Sequence, residues 1–193
     1  MKLVFATHNQ NKIEEVRAIL PDTFTLLSLD DIGCTEEIPE TGETLAENAK
    51  IKADYVTQTY GLNCFSDDTG LIIDALNGAP GVYSARYASE HKNAKDNMTK
   101  VLEELKDEYS RTARFKTIVH LNLMGESHVF EGAVEGWITK QMQGSGGFGY
   151  DPIFRPEGYD QTFGELPTKV KNTISHRGRA IQSLVEFLKK ETF

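Results

Sequence analysis

Two adjacent carboxylates, Asp67 and Asp68, are the side chains of this sequence best suited to chemistry. They follow a short apolar run at residues 62–65, which predicts a strand that places both acids at its carboxyl end. Because side chains alternate between the two faces of a strand, we expect one acid to face a ligand and the other to support it. Carboxylates beside the small Thr69-Gly70 turn suit a hard cation such as Mg²⁺. A surface hairpin with turn-forming acids would explain the stretch equally well.

A polar loop near the start of the chain is a candidate anion site. Residues 3–6 predict a buried strand, and residues 13–20 predict a helix that follows the loop. This order directs backbone N–H groups and the positive end of the helix dipole at an anion, and Lys12 could add a full charge. The loop lacks the glycines and the G-K-[ST] ending of a P-loop, which excludes that class of site. An ordinary strand–helix connection would also fit.

Glu40 is a candidate second carboxylate for a metal, because it lies before a predicted helix and its side chain is not explained by helix stability. Thr44 and Glu47 form a capping-box pattern at the start of that helix, and Gly61 ends it. A solvated acid would be the simpler explanation of Glu40. Residues 88–107 predict a further helix, whose apolar stripe we assign to the core.

A glycine-rich stretch at residues 144–154 is interrupted by aromatic side chains, so it predicts a structured loop and not a flexible linker. Its glycines would let a planar ligand approach the backbone. Phe148 and Tyr150 could stack on a base, and Asp151 could accept a hydrogen bond from the base edge. A well-packed glycine turn would also account for the stretch.

Basic side chains lie close to the start of a last amphipathic helix, for which Ser175 is the predicted N-cap. Cations at a helix start oppose the helix dipole, so a second anion or base edge bound by Lys171 and Arg177 would explain their position. A basic solvated face is the alternative. Between these motifs, residues 112–123 and 128–139 alternate in polarity and predict a long antiparallel hairpin.

Length and composition fit one soluble α/β domain over residues 1–193 or two tightly joined lobes, and 39% of the residues are hydrophobic, which is enough for a sizeable core. The net charge of −8 argues against a nucleic-acid binder but permits a small phosphorylated ligand. Cys34 and Cys64 lack metal-ligand spacing and indicate thiols in a reducing compartment. The apolar run at the start is too short for a signal peptide or membrane span, so we expect a cytoplasmic protein.

Six short segments stand out along the chain. They are A-T-H-N-Q-N-K (6–12), E-T-G-E-T-L-A-E-N-A (40–49), S-D-D-T-G-L (66–71), G-A-P-G-V-Y-S-A-R-Y (78–87), G-G-F-G-Y-D-P-I-F (146–154) and S-H-R-G-R-A (175–180). In this order, over nearly the whole chain, they resemble the inosine triphosphate pyrophosphatase family. The chain departs from the family at residue 8, where the family often has glycine and this chain has His8. That side chain could narrow the phosphate end of a site.

The resemblance implies a long mixed central sheet flanked by helices, forming two lobes with the active cleft between them, and a homodimer. It implies Mg²⁺-dependent hydrolysis of non-standard purine nucleoside triphosphates (ITP, dITP and XTP) to the monophosphate and pyrophosphate. Glu40 and Asp68 would hold the metal, and Asp68 would activate the attacking water. The residues that would bind the phosphates or the base are Thr7, His8, Asn9, Gln10, Asn11, Lys12, Thr69, Phe148, Gly149, Tyr150, Asp151, Lys171, His176 and Arg177.

Two other functions fit the same residues. One is a related pyrophosphatase that acts on other modified nucleotides, and the other is a nucleotide sensor that binds without turnover. The acid pair and Lys12 favour an enzyme, because a sensor needs no water-activating carboxylate. The chemistry needs no Ser-His or Cys-His pair, and none is evident in the sequence.

Overall fold

The fold is given by a computed structural model, which describes residues 1–190. The strands are β1 (Lys2–Phe5), β2 (Thr25–Leu27), β3 (Cys64–Ile73), β4 (Pro80–Gly81), β5 (Thr112–Leu123), β6 (Glu126–Ile138) and β7 (Phe154–Pro156). The helices are α1 (Gln10–Arg17), α2 (Leu45–Tyr60), α3 (Ala94–Glu104), α4 (Thr168–Ile174) and α5 (His176–Lys190). None of the helices within residues 1–190 is long and apolar enough to cross a bilayer.

The strands of residues 1–190 form one seven-stranded sheet in the order β2-β1-β3-β5-β6-β7, with β4 paired to β3. β1 runs parallel to β2 and to β3, whereas the β3–β4 and β6–β7 pairs are antiparallel. The sheet is therefore mixed, and helices alternate with its strands along much of the chain. This confirms the α/β fold with a long mixed central sheet.

The chain divides into two compact units, and each unit has its own apolar core. The first unit comprises residues 1–68, 117–132 and 177 onward, and the second comprises residues 69–116 and 133–176. The boundary within β3 falls directly after Asp68. The single domain over residues 1–193 and the cleft both stay predictions.

The core of the first unit fixes the starts of α1 and α5. Phe5 of β1 and Phe65 of β3 stack with their ring centres 4.6 Å apart. Ile13 and Val16 of α1 pack in the same cluster, and so do five apolar side chains that recur at helical spacing in α5. The residues that precede these stripes, Lys12 in α1 and Arg177 in α5, are thereby held beside β3. The α5 residues are Ala180, Ile181, Leu184, Val185 and Leu188.

The central strand differs from its prediction. The strand was expected to end at the two acids, before a Thr69-Gly70 turn, but β3 runs unbroken from Cys64 to Ile73. Asp67 and Asp68 therefore lie within a strand and not at its end. Residues 64–68 are all buried, and both acids have cationic neighbours in the interior. Because these neighbours compensate the charges, the chain does not need to leave the sheet to expose them.

Other elements follow the sequence more closely. The hairpin is confirmed, with Met124 and Gly125 forming a two-residue turn at φ of 52° and 88°, as a type I′ turn requires. The capping box at Thr44 is present, and the left-handed Gly61 ends α2. Helix α1 begins three residues earlier than predicted, because Asn9 caps it. Helix α3 is shorter than predicted, and α4 was not predicted.

Candidate active site

The Asp67 carboxylate is buried at the centre of an ion network in the first unit. Its side chain is 1% exposed. Oδ1 accepts a hydrogen bond from Lys12 Nζ at 2.7 Å, and Oδ2 accepts one from Arg177 Nε at 2.9 Å. Arg177 also donates through Nη1 to Glu15. Cations from α1 and from the start of α5 therefore occupy both oxygens of Asp67.

The charges of this network fix the ionisation of Asp67. Burial alone would raise its pKa, but Lys12, Arg177 and Lys52 outweigh burial and hold the pKa well below its ordinary value of 3.8. Burial also lowers the pKa of Lys12, and Asp67 offsets only part of that change. Burial would lower the pKa of Arg177, but Asp67 and Glu15 outweigh it and raise the pKa. Asp67 is thus a fixed anion that is poorly suited to accept a proton.

Asp68 is the next residue of β3, and it meets α2 instead of α1 and α5. Its Oδ2 accepts a hydrogen bond from Asn48 Nδ2 at 3.2 Å, and Lys52 Nζ lies 4.0 Å from its Oδ1. Burial has the largest effect and raises the pKa of Asp68, which Lys52 and Lys12 offset only in part. A carboxyl group with a raised pKa holds a proton more firmly, so Asp68 is the better general base of the pair.

Lys52 links Glu40 to the aspartate pair, and the sequence analysis missed it. Its Nζ donates to Glu40 Oε1 at 2.5 Å and to the backbone carbonyl of Asp67 at 2.7 Å. Burial would lower the pKa of Lys52, but Asp68, Glu40 and Asp67 together outweigh it and raise the pKa, so the amine stays protonated. A sequence signal existed, because Asn48 and Lys52 are four residues apart and share one face of α2.

Glu40 and Asp68 form an oxygen donor set that fits Mg²⁺. Both carboxylates approach one ammonium group, Lys52 Nζ, so they already converge on a single positive charge. Within residues 1–190, no group of three or more His, Cys, Asp or Glu side chains is arranged to hold a metal ion. Two acids suffice for Mg²⁺, which commonly binds one or two carboxylates together with waters and substrate phosphates. Zn²⁺ would be expected to use nitrogen or sulfur ligands.

The predicted anion loop leads into α1, and residues 8–11 are exposed. Asn9 is the N-cap, and its Oδ1 accepts a hydrogen bond from Lys12 N at 3.3 Å. Thr7 Oγ1 accepts one from Asn9 N at 3.1 Å. The first turn of α1 contains no acidic residue. No carboxylate in that turn therefore neutralises the positive end of the helix dipole.

The His8 side chain extends from this loop to an acidic segment of the same unit. Its Nδ1 lies 3.1 Å from Asp30 Oδ1, and its Nε2 lies 3.2 Å from the backbone carbonyl oxygen of Glu36. These contacts tie the loop to residues 30–36. That His8 narrows the part of the site that would bind the phosphates stays a prediction.

In the second unit, Asp151 organises the glycine-rich loop. Its Oδ2 accepts hydrogen bonds from Phe148 N and from Lys171 Nζ, each at 2.7 Å. A Cβ on Gly147 would lie 2.0 Å from the same oxygen, and φ there is +70°, so only glycine fits this position. The Lys171 ammonium lies 4.7 Å from the centre of the Phe148 ring, which is a cation–π contact. The stretch is therefore a structured loop, as predicted.

Two aromatic residues of the predicted base site are buried in the second unit. The Tyr150 side chain belongs to the apolar core and is 5% exposed, and its hydroxyl donates to the Ser84 carbonyl at 2.7 Å. The His176 ring stacks on Phe115 with centres 4.5 Å apart. The half-buried Phe148 ring is therefore better placed than Tyr150 to stack on a base.

The predicted site residues fall into two groups, one in each unit. In the first unit, Lys12 and Arg177 meet at Asp67, and Glu40 and Asp68 approach Lys52. Arg177 was expected to hold the base, but its guanidinium here binds Asp67 and Glu15. The residues of the first group are Thr7, His8, Asn9, Gln10, Asn11, Lys12, Glu40, Asp68 and Arg177, and those of the second are Thr69, Phe148, Gly149, Tyr150, Asp151, Lys171 and His176. Their binding of a substrate stays a prediction.

Comparison with known proteins gives consistent results at the level of sequence and structure. The model of the Ham1 family matches residues 3–187. A dITP/XTP pyrophosphatase of Flavobacterium johnsoniae is 58% identical over 97% of this chain and 98% of its own. One of Bacillus subtilis is 47% identical over 96% of each chain. The Ham1 protein of Staphylococcus aureus superposes with a TM-score of 0.91 at 37% identity over 100% of both chains.

We expect Asp67→Asn to destabilise the protein, because it removes the carboxylate that Lys12 and Arg177 share. Removing one partner of a buried ion pair typically costs about 3–5 kcal/mol. Asp68→Asn is a matched change one residue away, and it should leave the free energy of unfolding unchanged or higher. The reason is that the raised pKa of Asp68 marks its charge as unfavourable in the fold. Urea unfolding at pH 7 measures both variants.

Acid titration of stability provides the control. Because the pKa of Asp67 is depressed in the folded state, its contribution is complete above the ordinary value of 3.8 and is lost as the pH falls below it. Wild-type protein should lose stability as the pH falls below about 4, and Asp67→Asn should lose less over the same range. Two results would contradict the assignment of Asp67 as a buried anion. One is an equal free energy of unfolding in the two variants, and the other is a loss of stability with falling pH in Asp67→Asn that is as steep as in the wild type.

Proposed function

Because the chain belongs to the Ham1 family, we propose that it hydrolyses non-standard purine nucleoside triphosphates (ITP, dITP and XTP) to the monophosphate and pyrophosphate. It is a hydrolase that acts on acid anhydrides, like the relatives named dITP/XTP pyrophosphatase. The observation that carries the proposal is the convergence of Glu40 and Asp68 on the Lys52 ammonium, beside a second acid, Asp67, that is already neutralised. This arrangement leaves one carboxylate of the pair for proton transfer.

In this proposal Asp68 accepts the proton of the water that attacks the phosphorus. Its raised pKa makes it a stronger base than an ordinary carboxylate. Asp67 cannot take this role, because Lys12 and Arg177 occupy both of its oxygens. Asn48 donates to Asp68 Oδ2 and thereby orients the carboxylate. Lys52 stays protonated, and it keeps positive charge beside Glu40 and Asp68.

The triphosphate requires positive charge and hydrogen-bond donors. The start of α1 supplies the positive end of a helix dipole, with Lys12 in its first turn. Glu40 and Asp68 would hold Mg²⁺, which, when bound, neutralises the phosphate oxygens and lowers the barrier to attack by water. The all-oxygen character of these two ligands supports Mg²⁺ as the metal.

Base recognition falls to the glycine-rich loop. The Phe148 ring is half-buried, and the Lys171 ammonium lies against it. Hypoxanthine and xanthine present an acceptor at O6 and a donor at N1, whereas adenine presents a donor at N6 and has no N1 hydrogen. A loop that offers N–H groups to O6 would leave polar groups unpaired against adenine. The backbone N–H of Gly149 is the candidate for that contact.

The proposal includes a homodimer that acts in the cytoplasm on free nucleotides and not on nucleic acid. Two buried free thiols, Cys34 and Cys64, support a reducing compartment. The net charge of −8 disfavours binding to a phosphate backbone. Sedimentation equilibrium should give twice the chain mass of 21.6 kDa. A monomer at micromolar concentration would contradict the dimer.

The first test is release of pyrophosphate from ITP, XTP, GTP and ATP. We expect a preference for ITP and XTP over ATP in kcat/KM of about 10⁴ or more, because mismatched buried polar groups discriminate on that scale. A chelator should abolish turnover, and added Mg²⁺ should restore it. Equal kcat/KM on ITP and ATP would contradict the proposed recognition of the base. Full activity after exhaustive chelation would show that the reaction does not need a metal. Binding of ITP without turnover would indicate a sensor.

The second test is Asp68→Asn, which replaces the proton acceptor with a nearly isosteric amide. Loss of a general base typically lowers kcat by about 10²–10⁴, and weaker metal binding adds to the loss. Turnover of ITP at saturating Mg²⁺ measures the effect, with a thermal melt to confirm the fold. Near-full turnover by folded Asp68→Asn would show that the central acid is assigned wrongly.

A further inference from the structure

The motif at residues 78–87 has no role in the proposed chemistry, yet it forms a tightly bonded turn around Ser84. Ser84 Oγ accepts a hydrogen bond from Leu71 N at 2.9 Å and donates one to the Gly81 carbonyl at 2.6 Å. Asn97 Nδ2 of α3 donates to the Ala85 carbonyl at 3.0 Å, and less closely to that of Ser84 at 3.4 Å. Ser84 and Asn97 are 7% and 3% exposed. A strand and a helix of the second unit thus hold this turn.

Tyr150 connects the same turn to the glycine-rich loop. Its hydroxyl donates to the Ser84 carbonyl at 2.7 Å, across 66 residues of sequence. That bond is shorter than the one Ser84 accepts from Asn97, so Tyr150 is the principal donor to this carbonyl. The Tyr150 ring lies in the core of the second unit and is 5% exposed. The side chain is therefore oriented for support and not for contact with a base.

The glycine-rich loop needs such an anchor because its glycines leave the backbone with many accessible conformations. Gly147 and Gly149 have φ of +70° and +63°, and glycine restricts the backbone less than any other residue. Other contacts also hold the loop, among them the hydrogen bond from Lys171 Nζ to Asp151 Oδ2. Gly146 N donates to the Gly164 carbonyl at 2.8 Å, and Phe148 N donates to Asp151 Oδ2 at 2.7 Å. The Tyr150 hydroxyl ties the loop to a distant segment of the second unit.

We propose that Tyr150 is a positioning residue for base recognition. Its hydroxyl fixes the glycine-rich loop on the Ser84 turn, and so it fixes the orientation of Phe148, two residues earlier. This inference rests on the proposed function, because it assigns Phe148 to the purine. The motif at residues 78–87 then acts as the platform for the base loop, with Ser84 as its contact point.

The test is Tyr150→Phe, which removes only the hydroxyl and keeps the ring in the core. A typical hydrogen bond contributes about 0.5–1.5 kcal/mol, so KM for ITP should rise by about 2- to 13-fold while kcat changes less. The preference for ITP over ATP should fall by a similar factor, because a looser loop reads the base edge less well. Tyr55→Phe is the matched control, because it also removes one tyrosine hydroxyl that donates a hydrogen bond, here to Glu36 at 2.8 Å in the first unit. It should keep wild-type kinetics.

Thermal melts of both variants separate positioning from general stability. A rise in KM and a loss of ITP preference in Tyr150→Phe alone, well below its melting temperature, supports the inference. A Tyr150→Phe protein with wild-type KM and preference overturns it, whether or not the melting temperature falls, and so does an equal kinetic change in Tyr55→Phe. Wild-type protein that fails to hydrolyse ITP would instead overturn the proposed function, and this inference with it.

Discussion

The burial of the Asp67 carboxylate is the constraint on which the first unit depends. A carboxylate removed from water is strongly destabilising unless cations and hydrogen bonds replace its hydration. Lys12 and Arg177 provide both, and Glu15 compensates the remaining charge of Arg177. The first turns of α1 and α5 must therefore meet β3 at this point. The apolar stripes that follow in both helices pack into one cluster, so the ion network and the hydrophobic core favour the same arrangement.

The chemical consequence appears one residue further along β3. Strand alternation gives Asp68 a different environment, in which Asn48 and Lys52 of α2 replace the cations of α1 and α5. The pKa of Asp67 is therefore lowered while that of Asp68 is raised, although the two residues are adjacent and of one type. Adjacent acids with opposite shifts can divide structural and proton-transfer roles between them. In the proposed function, Asp67 organises the cations and Asp68 acts on water.

The sequence predicted the parts of this site that are encoded locally. The hairpin, the capping box and the glycine-rich loop depend on neighbouring residues, and the structure confirms them. The unbroken β3 was not predictable, because the ion pairs that allow it join residues 55 and 110 positions apart in the chain. The burial of Tyr150 was not predictable for a similar reason, since Ser84, the partner of its hydroxyl, is also remote in the sequence. Lys52 could have been predicted locally, because it lies four residues after Asn48 and therefore on the same face of α2.

The division between the two aspartates can be measured directly by nuclear magnetic resonance. Protein labelled with ¹³C at the aspartate carboxyl groups would be titrated from pH 2 to pH 8, with Asp67→Asn and Asp68→Asn used to assign the two signals. The account predicts that the Asp67 signal stays at its ionised position to the acid end of the folded range, whereas Asp68 titrates above the ordinary value of 3.8. Two results would contradict this division of roles. One is that both carboxyl groups titrate together near 3.8, and the other is that Asp67 titrates at a higher pH than Asp68.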